Sequence, residues 1–254
     1  MKRRQSITVG IGGMILLVFV LFFGTQARVA AAATGWEKEV LYFVLLDRFE
    51  NGTTMNDFDV RRRDPRAFHG GDLHGLIQRL DYLQDLGVTA IWLSPIYQNR
   101  PMPFYGQGAY HGYWPWDFFA VDARFGNDFK VMELRQELRK RNMKLVLDLV
   151  VNHAGYDAPL VQTHPILFHA NPEISDWNDR NQVENFGVFG LPDFASERAV
   201  VQRFHQAVSS HWLELAEPDG YRLDAVKHVP LSFWKTFNRR LADTQGDDFL
   251  LLGE

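Results

Sequence analysis

The chain of 254 residues contains no cysteine. That absence excludes a disulfide framework, a cysteine nucleophile and a thiolate-held zinc or iron–sulfur site. A basic excess is also missing: 27 Lys and Arg stand against 31 Asp and Glu, giving a net charge of −4. Without a basic field, no nucleic-acid partner is expected. Low-complexity segments are absent, and a composition that is 46% hydrophobic and 23% charged is that of a globular protein. Charge is scarce in one place. Lys2, Arg3, Arg4 and Arg28 are the only charged residues among the first 33, and without them the remaining 221 carry −8. The apolar run ILLVFVLFF (15–23) follows the basic start, and small residues at 27–35 offer cleavage sites. This order reads as a secretory signal over 1–33. The alternative is an uncleaved membrane anchor, because the apolar stretch approaches the ~20 residues that span a bilayer. Either reading places the rest of the chain outside the cytoplasm, secreted or periplasmic, with membrane contact only if the leader is retained.

From Trp36 onward, short apolar runs alternate with amphipathic stretches. The runs cover 40–49, 90–96, 144–153, 220–228 and 249–254, and their continuity suits strands buried on both faces. Between them, Leu73, Leu76, Ile77, Leu80, Leu83 and Leu86 follow helical spacing until Gly87. Similar spacing recurs through Val131, Leu134 and Leu138, from Val200 to Leu215, and through Phe233, Phe237 and Leu241. Strand–helix alternation predicts an α/β fold with a parallel sheet. The run ends carry polar residues (Asp47, Ser94, Asn152, His153, Asp224, Glu254), as on the active face of a (β/α) barrel or open α/β sheet. About 40 residues rich in Pro, Asn, Asp and His separate His153 from the next helix, which suggests an inserted subdomain over 154–194. The barrel portions are then 34–153 and 195–254.

Arg222 and Asp224 lie two apart on a predicted strand and therefore share a face. A guanidinium alongside favours the charged carboxylate, which suits a nucleophile or general base. Glu254 ends the next strand, so two carboxyl groups could flank one bond, as glycoside hydrolysis requires. The same pattern also fits a structural ion pair beside an unrelated Glu. His153 shares the rim as a hydroxyl-binding candidate or a structural histidine. YHGYWPWDF (110–118) gathers five aromatics around His111, either as a hydrophobic loop core or as a stacking platform for sugar rings.

Taken together, these segments resemble the α-amylase family, glycoside hydrolase family 13. DLVVNH (148–153), GYRLDAVKH (220–228) and LLGE (251–254) are similar to its successive motifs, and LPDF (191–194) to the short motif of its inserted B domain. YHGYW (110–114), FHGGDLHGL (68–76) and VLLDRFENG (44–52) also match. The resemblance implies a (β/α)8 TIM barrel, of which the first five strands are present, with the B domain inserted after the third. It implies that Asp224 is the nucleophile and Glu254 the general acid/base, with Arg222 holding the nucleophile. His111, Tyr113 and His153 would surround the sugar being cleaved, and Lys227 and His228 would contact the leaving-group side. It also implies calcium as cofactor, bound by Asn152, Asp193 and the carbonyl of His228, which are hard oxygen ligands. Asn51, Asn56, Asp57 and Asp72 are similar to a second calcium loop of some members, with Thr53 where an amide is usual.

The family's third carboxylate follows a His directly, and none of the nine histidines here precedes an Asp. The expectation is therefore an N-terminal fragment of a longer protein, itself inactive. The parent is expected to be a secreted retaining α-glucan hydrolase acting on starch or maltooligosaccharides. The alternatives are a cyclodextrin-forming transglycosylase and a non-catalytic membrane-anchored protein, and the retention of Asp224, Glu254 and Arg222 argues against the second.

Overall fold

The computed structural model describes residues 35–254. The leader expected over 1–33 lies outside them. In chain order the elements are β1 (Leu41–Val44), α1 (Leu46–Phe49), α2 (Leu73–Gln78), α3 (Leu80–Asp85), β2 (Ala90–Leu93), β3 (Tyr97–Asn99), β4 (Pro115–Val121), α4 (Asp128–Lys140), β5 (Lys144–Leu149), α5 (Pro159–Thr163), α6 (Arg180–Asn185), α7 (Ala199–Ala216), β6 (Gly220–Leu223), α8 (Leu231–Gln245) and β7 (Leu250–Gly253). No helix among the described residues is long and apolar enough to cross a membrane.

The five predicted runs form one sheet in the order β1-β2-β5-β6-β7, and every neighbouring pair is parallel. The apolar continuity of the runs is explained by burial, since all of β6 and all but the first residue of β5 are buried. Parallel register sets Asp148 opposite Arg222, and Leu223 opposite Gly253. The polar residues that follow the strands are thereby delivered to one edge of the sheet.

α4, α7 and α8 form where spacing predicted helices. Asn127 caps α4 by accepting the Lys130 N–H at 3.1 Å, and Val131, Leu134 and Leu138 face the core. α7 buries Val201, Val208 and Trp212, and α8 buries Phe233, Phe237 and Leu241. The single helix expected from Leu73 to Leu86 is instead divided at Arg79, which leaves helical geometry (φ −102°, ψ 7°) and pairs with Glu50 at 2.8 Å. Gly87 closes α3 at φ +87°, a left-handed conformation that glycine adopts without a Cβ penalty.

Two further expectations change. The first run stops being a strand at Val44. The buried Asp47 carboxylate accepts the His69 N–H at 2.9 Å, inside the turn of α1. The aromatic segment 110–118 is only partly a loop, because from Pro115 it becomes β4, which pairs antiparallel with β3 through register shifts. Alternation drives this: Phe118 is buried against Tyr97 and Phe194 while Asp117 and Phe119 face outward. Trp212 Nε1 then donates to the Phe118 carbonyl at 2.9 Å, tying this ribbon to α7.

Between β5 and α7, single bridges replace strands: His153 with Asp193, Phe168 with Phe194, and Glu173 with Gly187. α5 and α6 are its short helices.

Candidate active site

β5 and β6 supply the floor of the site. Arg222 Nη1 donates to Asp224 Oδ1 at 2.7 Å and to both oxygens of Asp148 at 3.1 Å. Its Nη2 pairs with Glu254 Oε2 at 2.8 Å. One guanidinium therefore holds three carboxylates, a task suited to its planar fork of donors. Asp148 is further fixed by Tyr113 Oη at 2.8 Å and Trp92 Nε1 at 3.0 Å, both donating to Oδ2.

The electrostatics follow from burial. Desolvation pushes the Asp148 carboxyl up to about 7, although Arg222 pulls it back. Asp224 also lies above the usual carboxylate range. Its burial outweighs the opposing charges of His153 and Arg222, opposite in direction to the expectation from Arg222 alone. Tyr113 is raised by burial and by Asp148.

Directly after the nucleophile candidate, Ala225 adopts φ +51°. A left-handed alanine is strained backbone, and such strain concentrates at functional sites. Here it turns the Ala225 N–H toward Glu254 Oε2, which accepts it at 3.1 Å. The Glu254 carboxylate is thus held from two sides, and that of Asp224 by Arg222.

A cleft of about 650 Å³ opens above this floor. Of the residues expected in the site, Tyr113, Asn152, His153, Arg222, Asp224, Lys227, His228 and Glu254 all line it. His111 is not part of the lining. Its Nδ1 accepts the Tyr113 N–H at 3.0 Å and its ring meets the edge of Trp114 at 4.8 Å, so it supports the aromatic wall from behind. Burial lowers its imidazole to about 4, which keeps it neutral. Gly112, between them, has φ +89°, and a Cβ there would lie 2.2 Å from the Pro95 carbonyl oxygen. Only glycine lets this loop press against the end of β2. His153 Nε2 donates to the Tyr113 carbonyl at 3.1 Å, which joins the loop to β5.

The expected metal ligands form two groups. Asn152 lines the cleft, and the bridge between His153 and Asp193 brings Asp193 alongside. The buried Asp193 carboxylate is pushed up to about 6, and its bond to His169 Nδ1 (2.7 Å) raises that imidazole. Asn51, Asn56, Asp57 and Asp72 lie away from the cleft in the 51–72 loop. Asn51 Nδ2 donates to Asp57 (2.8 Å) and Asn56 Nδ2 to Asp72 (3.1 Å). Asp72 also caps α2 through the Gly75 N–H at 2.7 Å. Among the described residues no three His, Cys, Asp or Glu side chains gather as metal ligands, so either group depends on amide and carbonyl oxygens.

Other residues of the site were not singled out from the sequence. Asp148 entered the sequence reading only as the first residue of DLVVNH, and the parallel register of β5 and β6 sets it opposite Arg222. Trp114, Trp177 and Phe189 also line the cleft. Trp177 and Phe189 come from the irregular insert, where no periodicity points to them. Phe189 is 76% exposed at φ +55°, and its carbonyl accepts Tyr156 Oη at 2.6 Å.

Comparison with known proteins gives a consistent result. Residues 43–165 match a family model described as the α-amylase catalytic domain. A cyclomaltodextrin glucanotransferase of Klebsiella oxytoca is 33% identical over 96% of this chain and 42% of its own length. The crystal structure of an Anoxybacillus α-amylase is 44% identical, with a TM-score of 0.80 over 86% of this chain and 47% of that one. An α-amylase from Geobacillus thermoleovorans complexed with acarbose is also 44% identical, with a TM-score of 0.77 over 86% of this chain and 46% of that one. The chain spans less than half the length of each of these three relatives.

Proposed function

The chain belongs to the α-amylase family, and from that premise we propose that the protein acts as a secreted, retaining α-glucan hydrolase on starch or maltooligosaccharides. The observation that carries this reading is the placement of Asp224 and Glu254 on the two terminal nitrogens of Arg222, inside a cleft walled by Tyr113 and Trp114. The acarbose complex of the Geobacillus relative supports a saccharide ligand. The basic start and apolar run of residues 1–33 support export.

In this mechanism Glu254 gives its proton to the glycosidic oxygen while an Asp224 oxygen attacks the anomeric carbon. The glycosidic bond breaks, the leaving sugar departs as an alcohol, and a glycosyl ester forms on Asp224. Glu254, now a carboxylate, takes a proton from water as that water attacks the ester carbon and frees Asp224. Arg222 keeps both carboxylates in register, and Tyr113 offers its ring face to the apolar side of the sugar. A second reading replaces water by a sugar hydroxyl, giving transfer instead of hydrolysis. The 33% identity to a glucanotransferase favours keeping it.

Calcium is the proposed cofactor. Asn152, Asp193 and the His228 carbonyl would hold one ion, tying the insert to the sheet. Asp193 offers a buried carboxylate oxygen next to Asn152, whose carbonyl accepts the Phe194 N–H at 2.9 Å. Asn51, Asn56, Asp57 and Asp72 would hold another, and there the buried Asn56 Oδ1 lacks any hydrogen-bond partner. Bound calcium supplies charge that rigidifies these loops.

The test is Asp224→Asn in the natural protein. Turnover of starch should fall by roughly 10³-fold or more while maltooligosaccharide binding persists. Near-wild-type release of reducing ends would overturn the assignment.

A further inference from the structure

Two carboxylates tie the loop from Asn51 to Asp57 in place. Asn51 Nδ2 donates to both oxygens of Asp57, at 2.8 and 2.9 Å. The buried Asp72, at the start of α2, accepts the Gly52 N–H at 3.1 Å, the Thr53 N–H at 3.3 Å and Asn56 Nδ2 at 3.1 Å. The packing here is close. A Cβ on Gly52 would lie 2.2 Å from the Gly75 nitrogen, and one on Gly70 would lie 2.3 Å from Asn51 Nδ2. Residue 52 must therefore be glycine.

That requirement creates a chemical weak point. Asn51 alone among the asparagines of the chain precedes a glycine. Asparagine is thermolabile because the backbone nitrogen of the next residue can attack its side-chain amide carbon. A Cβ on that next residue hinders the attack, and glycine has none. In the reaction the Gly52 nitrogen bonds to Asn51 Cγ and the Cγ–Nδ2 bond breaks. The Gly52 proton leaves with Nδ2 as ammonia, and a cyclic imide remains. Water then opens the imide at either carbonyl, giving aspartate or isoaspartate. Asn51 and Gly52 are only partly buried, so water reaches them.

The folded loop opposes the attack twice. The Asp72 charge beside the Gly52 N–H disfavours loss of its proton, and Asp57 holds the Asn51 amide. Ring closure therefore waits on local opening of the loop. Conversion is one-way. A carboxylate at position 51 faces Asp57 where a donor stood, so the contact that closes the loop becomes a repulsion. Isoaspartate also lengthens the main chain where Gly52 has no room to move against Gly75.

We propose that Asn51 is a hydrolytic modification site, guarded by Asp57 and Asp72, whose conversion releases the 51–57 loop from α2.

Peptide mass mapping follows the conversion of Asn51 in the natural protein, kept folded or unfolded in urea at mildly alkaline pH. Chelator is present throughout, so that the calcium proposed for this loop contributes nothing. Conversion should be at least about tenfold slower in the folded protein. Asp57→Ala should raise the folded-state rate by about tenfold, and Asp57→Asn, which keeps one acceptor oxygen, by less. Asn51→Asp, which makes one product directly, should speed hydrogen exchange at Gly52 and Thr53 and leave β5 and β6 protected. The comparison of folded with unfolded protein needs no variant and decides the matter even if Asp57→Ala does not fold. Equal rates in the two states, or a rate indifferent to Asp57→Ala, overturn the guard. Absence of conversion even in urea overturns the site, and unaltered exchange in Asn51→Asp overturns the release of the loop.

Discussion

Asp148, Arg222 and Asp224 are each less than a tenth exposed, whereas Trp177 and Phe189, across the same cleft, stand 52% and 76% open. The first group sits at the ends of β5 and β6, held by ladder hydrogen bonds and by one guanidinium. The second group sits on an insert held by isolated bridges, by His228 on Val183 and by Tyr156 on Phe189. The difference separates two tasks. Reacting carboxylates need fixed positions, because small displacements at the reacting atoms are expensive. On the proposed reading the opposite wall would receive sugars, a contact that an open apolar face suits. Rigid strands suit the first task and turns the second.

The comparison is broken hardest at Arg222. Arg222→Lys leaves Asp148, Asp224 and Glu254 with one compact charge in place of a planar fork. Stability should fall by about 3 kcal/mol, since one ammonium cannot reach all three carboxylates and the buried Asp148 or Asp224 is left unpaired. Urea unfolding measures it, and an unchanged midpoint would show that the floor does not depend on this guanidinium.

Calcium tests the seam between the two regions. An ion bound only to the folded state stabilises it by about 2.7 kcal/mol at 100 times its Kd. Chelation should accordingly lower the Tm, and Asn152→Ala should diminish the response to added calcium. A Tm indifferent to both chelator and calcium would show that no ion ties the insert to the sheet.

His205 tests the core beneath the same seam. It is fully buried among Phe118, Phe194, Phe204 and Phe233, and neither ring nitrogen has a partner. Burial lowers its imidazole to about 3 from an ordinary 6.5. Between these values the unfolded chain binds a proton that the folded chain refuses, so stability falls as pH drops below about 6.5. At pH 5 this amounts to about 2 kcal/mol. His205→Leu should flatten the acid side of the Tm–pH profile. An unchanged profile would show that other groups govern acid unfolding.

Tyr156→Phe gives the smallest effect. It removes the hydroxyl donated to the Phe189 carbonyl and should cost about 1 kcal/mol, with a rise in KM for maltooligosaccharides and an unchanged kcat. A loss confined to kcat would mean that the insert wall also positions the reacting groups.

Much of the floor is legible in the sequence. The apolar runs at 144–153 and 220–228 place β5 and β6, and two-residue spacing puts Arg222 and Asp224 together. The insert is less readable. LPDF marks Asp193, but Trp177 and Phe189 lie in a stretch without helical or strand periodicity, so nothing local indicates which way they face. The β3–β4 ribbon escapes a sequence reading because it depends on distant partners, the Phe118–Tyr97–Trp212 cluster.

The sequence by itself determined the strand–helix alternation, the parallel sheet and the polar residues at its strand ends, because apolar spacing is a local property that burial on one or two faces imposes. Tertiary structure alone decided that one guanidinium gathers three carboxylates, that burial raises Asp148 and Asp224 against its pull, and that an insert brings a tryptophan to the wall of the cleft. Desolvation and proximity depend on residues tens of positions apart in the chain, and neither exists until the chain has folded.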